Sequence, residues 1–133
     1  MAKELVFENE FATLSYDTES RIVQSVVKQS IPVEKMKELL NKICETLKSR
    51  SATKLTTDAR KTGILPPEFD EWRRKDWVPR MVRAGWKHWA PVFPPSVITQ
   101  LHMKRLIKDF QDVGIQVQPV TSPEEALQWL GSQ

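Results

Sequence analysis

Only one cysteine, two histidines and four glycines occur in 133 residues, and each scarcity removes a class of chemistry. The lone Cys44 has no partner for an internal bridge. It falls within a helical pattern, which predicts a buried thiol in a reducing cytoplasm. His88 and His102, with Cys44, do not make a zinc set of His and Cys ligands. His88, among aromatic residues in a predicted strand, reads as a structural histidine, and His102 as a surface one. Four glycines are too few for a Walker loop or a dinucleotide fingerprint. There is no Gly-x-Ser-x-Gly elbow, and no nucleophile sits in a recognisable pattern with a base. No apolar run approaches the ~20 residues that span a bilayer, and the first residues lack a basic start followed by an apolar stretch. The expectation is one cytoplasmic, non-enzymatic domain over 1–133, with no metal, no cofactor and no membrane span. Its length suffices for a hydrophobic core without metal or disulfide staples.

What is abundant is local. Twenty basic against seventeen acidic residues leave a net charge of +3. Residues 72–88 carry Arg73, Arg74, Lys75, Arg80, Arg83 and Lys87 against only Asp76, more than the whole excess. Four of the five tryptophans, Trp72, Trp77, Trp86 and Trp89, interleave with these cations. Three readings stand side by side: core packing, a protein interface or ligand pocket, and stacking on single-stranded nucleic acid. Phe69 and Trp72 at helical spacing favour the first, and nucleic acid is the weakest.

Along the chain, residues 4–16 and 21–28, joined by turn-forming Asp17 to Ser20, predict an antiparallel hairpin. Behind Pro32, Val33, Met36, Leu39, Leu40, Ile43 and Leu47 repeat at helical spacing. Lys54–Thr57 is short and β-branched, hence a strand ending at Asp58. Pro66 and Pro67 open a helix through Lys75, and Asp76 is placed as the cap of a new helix with Pro79 in its first turn and Gly85 as its stop. Trp86–Phe93 predicts a strand despite Pro91, whose missing N–H must then be one that pairing does not need. Ser96 starts a helix carrying Met103, Leu106, Ile107 and Phe110 and stopping at Gly114. Ile115–Val120 is a strand with one wet face. Ser122 to Glu125 is a capping box leading into the last helix. The order β-β-α-β-α-β-α-β-α predicts an α/β domain with a mostly parallel mixed sheet and an N-terminal antiparallel hairpin.

In this pattern Phe11 to Asp17, the strand ending in Thr57-Asp58, Trp77-Val-Pro-Arg80, Trp89-Ala-Pro-Val92 and Glu125 to Leu130 resemble the STAS superfamily, the fold of the bacterial anti-sigma-factor antagonists. They are more similar still to its SpoIIAA-like branch, which is related in fold to CRAL-TRIO lipid-transfer domains. The resemblance implies a regulatory or protein-interaction domain. Antagonists of this family carry a phosphorylatable serine directly after the aspartate of the central strand. Here the place reads Asp58-Ala59-Arg60-Lys61-Thr62-Gly63, which argues against serine phospho-switching.

The candidate binding surface is Asp58, Arg60, Lys61, Thr62, Gly63, Trp72, Trp77, Arg80 and Trp89. Asp58 is read as a ligand-orienting carboxylate or, more simply, as the acceptor of an Asx turn. Arg60 to Gly63 suggests a weak anion-binding turn. The expected partner is another protein or a second copy as a homodimer. The alternative, motivated by the CRAL-TRIO kinship, is a carrier or sensor of a small anionic amphiphile, a lipid or acyl ligand, held between the second helical region and the sheet.

Overall fold

The computed structural model describes residues 3–98 and 101–133, with the side chains at 98, 101 and 102 outside the described set. The reading of His102 as a surface residue therefore lies outside it. The chain is α/β, built on a six-stranded mixed sheet in the spatial order β1-β2-β3-β4-β5-β6. β1 (Lys3–Glu8), β2 (Ala12–Asp17) and β3 (Ile22–Val27) are antiparallel neighbours. β4 (Lys54–Asp58), β5 (His88–Val92) and β6 (Gln116–Val117) continue from β3 in parallel.

The antiparallel part has one strand more than the sequence predicts. Residues 4–16 are two strands, because Asn9 turns the chain: its Oδ1 accepts the N–H groups of Phe11 and Ala12 at 2.8 and 2.9 Å. This Asx turn mimics a backbone turn and needs no glycine. Asp17 does the same at the next corner, accepting from Glu19 at 2.9 Å and Ser20 at 3.1 Å. Those backbone donors hold the Asp17 carboxyl below its ordinary value.

α1 (Val33–Ser49) follows Pro32 and buries Met36, Leu39, Leu40, Ile43 and Leu47. Its partners on the sheet are Leu14, Val23, Val27 and Leu55, which alternate with residues of the opposite face. Three further helices join this layer: α2 (Pro67–Trp72), α3 (Val78–Arg83) and α5 (Leu101–Gln111), beside the short α4 (Pro95–Ile98). α6 (Pro123–Gly131) covers the other face, setting Ala126 and Leu130 on Ile22, Ala90 and Val92. Ser122 caps it by accepting the Glu125 N–H at 3.2 Å.

One helix boundary differs from expectation in a way that matters for the site. Asp76 does not cap a new helix. The chain runs on from α2 through a π turn, Arg73–Trp77, into α3, and Asp76 instead accepts a 2.8 Å bond from Arg80. Pro79 has no N–H to offer the carbonyl four residues back, so the helix widens: the Val78 N–H bonds the Arg73 carbonyl, five residues back. Gly85, at φ +107°, then closes α3, with Trp86 N–H on the Met81 carbonyl and Gly85 N–H on that of Val82, both at 3.1 Å.

Pro91 is tolerated in β5 for a comparable reason. Its carbonyl accepts the Val120 N–H at 3.0 Å, but it returns no donor. The β5–β6 ladder accordingly stops at Trp89↔Val117 and resumes only as a bridge at Val92↔Val120. The strand expected over 115–120 is thus reduced to Gln116–Val117.

Candidate functional site

The helices over the carboxyl ends of β3, β4 and β5 border a cavity of about 470 Å³ that is open to solvent. Its floor is Ser25 and Val27 of β3, Thr57 and Asp58 of β4, and Trp89 of β5. Met36, Leu39 and Leu40 of α1 form one wall, Phe69 of α2 and Trp77 of the π turn a second, and Met103 and Leu106 of α5 a third. Alternation along parallel strands sends every second side chain to this face, and the crossover helices are set over it. Crevices at the carboxyl ends of such strands are where α/β folds take ligands.

Two tryptophans are held in place by their indole N–H groups. Trp77 donates to the Leu40 carbonyl at 2.7 Å and Trp89 to Thr57 Oγ1 at 3.0 Å. Trp86 packs between them with its ring inclined to both, 5.4 Å from Trp77 and 5.6 Å from Trp89 between centroids. The cavity wall is therefore rigid on this side.

Polar atoms inside this lining are few. Arg73 lies on the π turn with its side chain 24% exposed; one terminal nitrogen donates to Asp70 Oδ1 at 3.2 Å, a carboxylate 64% exposed. Its Nε is buried and has no partner, and the same holds for Thr62 Oγ1 on the loop after β4. Each such orphan costs roughly 1–3 kcal/mol. Burial lowers the Arg73 guanidinium from its ordinary value, with Asp70 opposing; an arginine nonetheless stays charged. Asp70, Arg105 and Asp109 complete the charged part of the lining.

The loop carrying Thr62 is tied down from several directions. Asp58 Oδ1 accepts the Arg60 N–H at 3.2 Å, and its carboxylate takes the Arg60 guanidinium at 2.9 and 2.7 Å. Burial pushes the Asp58 carboxyl up, but the bonds and charge of Arg60, helped by Lys61, prevail and hold it below the ordinary value. Gly63, at φ +82°, lies so close to Ser30 that a Cβ there would meet its Oγ at 2.8 Å. The Ile31 N–H reaches the Thr62 carbonyl at 3.3 Å.

Within the turn expected to bind an anion over Arg60 to Gly63, two amides are already spent: Arg60 N–H on Asp58 and Thr62 N–H on the Ala59 carbonyl, with the preceding Ala59 N–H on that of Val92. Gly63 allows the close approach to Ser30.

Of the nine predicted surface residues, Asp58, Thr62, Trp77 and Trp89 line the cavity from inside. Trp77 and Trp89 are only 3% and 7% exposed, so they present no docking surface. Arg60, Lys61 and Gly63 remain exposed on the neighbouring loop. Trp72 and Arg80 belong elsewhere, to a groove of about 610 Å³ between α1 and α3 lined also by Asn41, Cys44, Lys48 and Asp76. There Arg80 bonds Asn41 and Asp76, both at 2.8 Å. Burial pushes the Cys44 thiol up, the inert setting expected of it.

Half of the basic stretch is internally matched: Arg73 with Asp70, Lys75 with Glu71 and Arg80 with Asp76 form ion pairs. With Trp77, Trp86 and Trp89 buried, little of it is left to stack on bases. His88 sits on the opposite face of the sheet, 6.0 Å from the Trp129 ring, and burial with Lys54 and Lys87 lowers its pKa.

Arg73 is the site residue that sequence reasoning passed over, counting it only as one cation among six. The signal was its position, four residues after Phe69 and four before Trp77, a charge inside an apolar helical stripe. Among the described residues no group of three or more His, Cys, Asp or Glu is placed to hold a metal ion. Nor, among them, is any helix long and apolar enough to cross a membrane. No family model, curated protein or solved structure matches this chain.

Proposed function

We propose that this chain is a non-enzymatic domain of STAS-like, SpoIIAA-like type whose working part is the cavity, where it holds one small amphiphile as a carrier or sensor. The observation that carries this reading is the cavity itself: about 470 Å³ with walls of Met, Leu, Phe and Trp and a half-buried arginine among them. That combination suits an apolar body with one polar end. Native mass spectrometry of freshly purified protein tests it: a retained mass of a few hundred daltons is expected. A clean apo spectrum, with no thermal shift from a panel of single-chain amphiphiles, would refute it.

A second reading, docking of a protein partner or a second copy through the loop after β4, is favoured by one observation. Ile64 is fully exposed, next to Gly63 and near Lys61 on the rim of the cavity. Lys61→Glu and Ile64→Ser should then abolish partner recovery or self-association without changing the fold, and unchanged recovery or association by both variants dismisses it.

A further inference from the structure

Resting on the reading of the cavity as an amphiphile site, we infer that its ligand is a single-chain monocarboxylate whose head is held by the Arg73 guanidinium, with Thr62 on the same lining. Both residues line the cavity; the Arg73 side chain is 24% exposed with one long bond to Asp70, while its Nε and Thr62 Oγ1 are covered by protein and have no partner among the described residues. One offers an N–H from a permanent cation and the other a hydroxyl that can donate. An oxygen with negative charge is the acceptor common to the two, and charge-assisted bonds of this kind are the strong ones.

The charges around the cavity then set the head group's valence. Arg60 is taken up by both oxygens of Asp58 and is not among the lining residues. That leaves Arg73 inside and Arg105 on the exposed rim, with Asp70 and Asp109 in the same lining. A monoanion can be matched by Arg73. A phosphate ester, at close to two negative charges near neutrality, would bring its second charge toward two carboxylates with no second buried cation to meet it. A neutral alcohol or ester would leave the Arg73 charge as it stands. The apolar body faces Met36, Leu39, Met103 and Leu106, flexible side chains that adapt to an alkyl or aryl chain.

The test is isothermal titration of the whole chain at pH 8 with four probes sharing one tail: decanoate, methyl decanoate, decanol and decyl phosphate. Decanoate is expected to bind about 10- to 100-fold more tightly than the two neutral probes, the range of one charge-assisted hydrogen bond, and more tightly than decyl phosphate. Arg73→Gln should bring decanoate down to the level of decanol and leave decanol unchanged. Thr62→Val, close in shape, should weaken decanoate about 3- to 10-fold and spare the neutral probes, which keeps the test open should Arg73→Gln fail to fold. Equal binding of decanol and decanoate, tighter binding of decyl phosphate, or indifference of decanoate to both variants overturns the assignment of the head group while the cavity reading stands. Failure of all four probes to bind overturns both.

Discussion

The helical run from Pro67 to Arg83 has a hollow on each side, and the arginines it sends into them differ in what they are tied to. Arg80, in the groove toward α1, divides one terminal nitrogen between Asn41 and Asp76 at 2.8 Å and lies 5.9 Å over the Trp72 ring. Arg73, in the cavity, has one longer bond, 3.2 Å to an exposed carboxylate. Both keep a buried Nε without a partner, yet only Arg73 does so in a lining rich in Met and Leu. Arg80 ties two helices together, and removing it should loosen the fold. Arg73 spends its burial on no comparable contact, which is what a residue kept for a ligand looks like.

The largest effect should come from the wall itself. Trp77→Ala removes a ring 3% exposed and its 2.7 Å bond to Leu40; about 3–5 kcal/mol of stability should be lost in denaturant unfolding, together with amphiphile binding. Next is the crossed pair of arginines. Arg80→Gln should cost about 1–2 kcal/mol and leave decanoate affinity alone, while Arg73→Gln should cost less than about 1 kcal/mol and abolish the preference for decanoate. The reverse pattern would make Arg73 the structural arginine and break the comparison.

Gly63→Ala sharpens it from the side of the loop. Positive φ and a 2.8 Å approach to Ser30 Oγ should cost about 1–2 kcal/mol and weaken decanoate by displacing Thr62. An unchanged melting temperature would show that the loop yields without strain.

The smallest effect is that of pH through Asp58. Its folded-state pKa is depressed, so the stability it contributes is fully present above the unfolded value of about 3.9. That contribution is lost as pH falls through the lower folded value. Because Arg60 is 42% exposed, the contribution should be under about 1 kcal/mol. The stability gap between wild type and Asp58→Asn, followed by urea unfolding from pH 6 to pH 2, should narrow below pH 4, and a constant gap would contradict the pairing.

How far the residues announced this arrangement depends on the range of the interactions involved. Pro32 and the Met36 to Leu47 stripe, the β-branched strand up to Asp58, the capping box at Ser122 and the glycine stop at Gly85 are local signals, and the structure follows them. Asn9 was legible in principle, since an Asx turn needs only its own side chain. The π turn was not, because Asp76 before a proline fits a cap as well as it fits a salt bridge to Arg80. Packing of the run's Trp77 against α1 through Leu40 is a tertiary matter.

The candidate site was half legible for the same reason. Asp58 and Thr62 follow from the rule that strand ends carry ligands. The division of Trp72 and Arg80 from Trp77 and Trp89 depends on which side of a helix faces which neighbour, and that is set by contacts distant in sequence. The missing N–H of Pro91 is one that pairing with β4 does not need, and its cost falls on β6, which is shortened.

Three methionines outside the N-terminus test the central claim most directly. Met36 and Met103 line the cavity, whereas Met81 is fully buried and does not. In methyl-labelled protein titrated with decanoate and followed by NMR, the Met36 and Met103 resonances should move together and saturate, with Met81 nearly still. Resonances that all stay in place at millimolar decanoate, or a shift confined to Met81, would contradict the account.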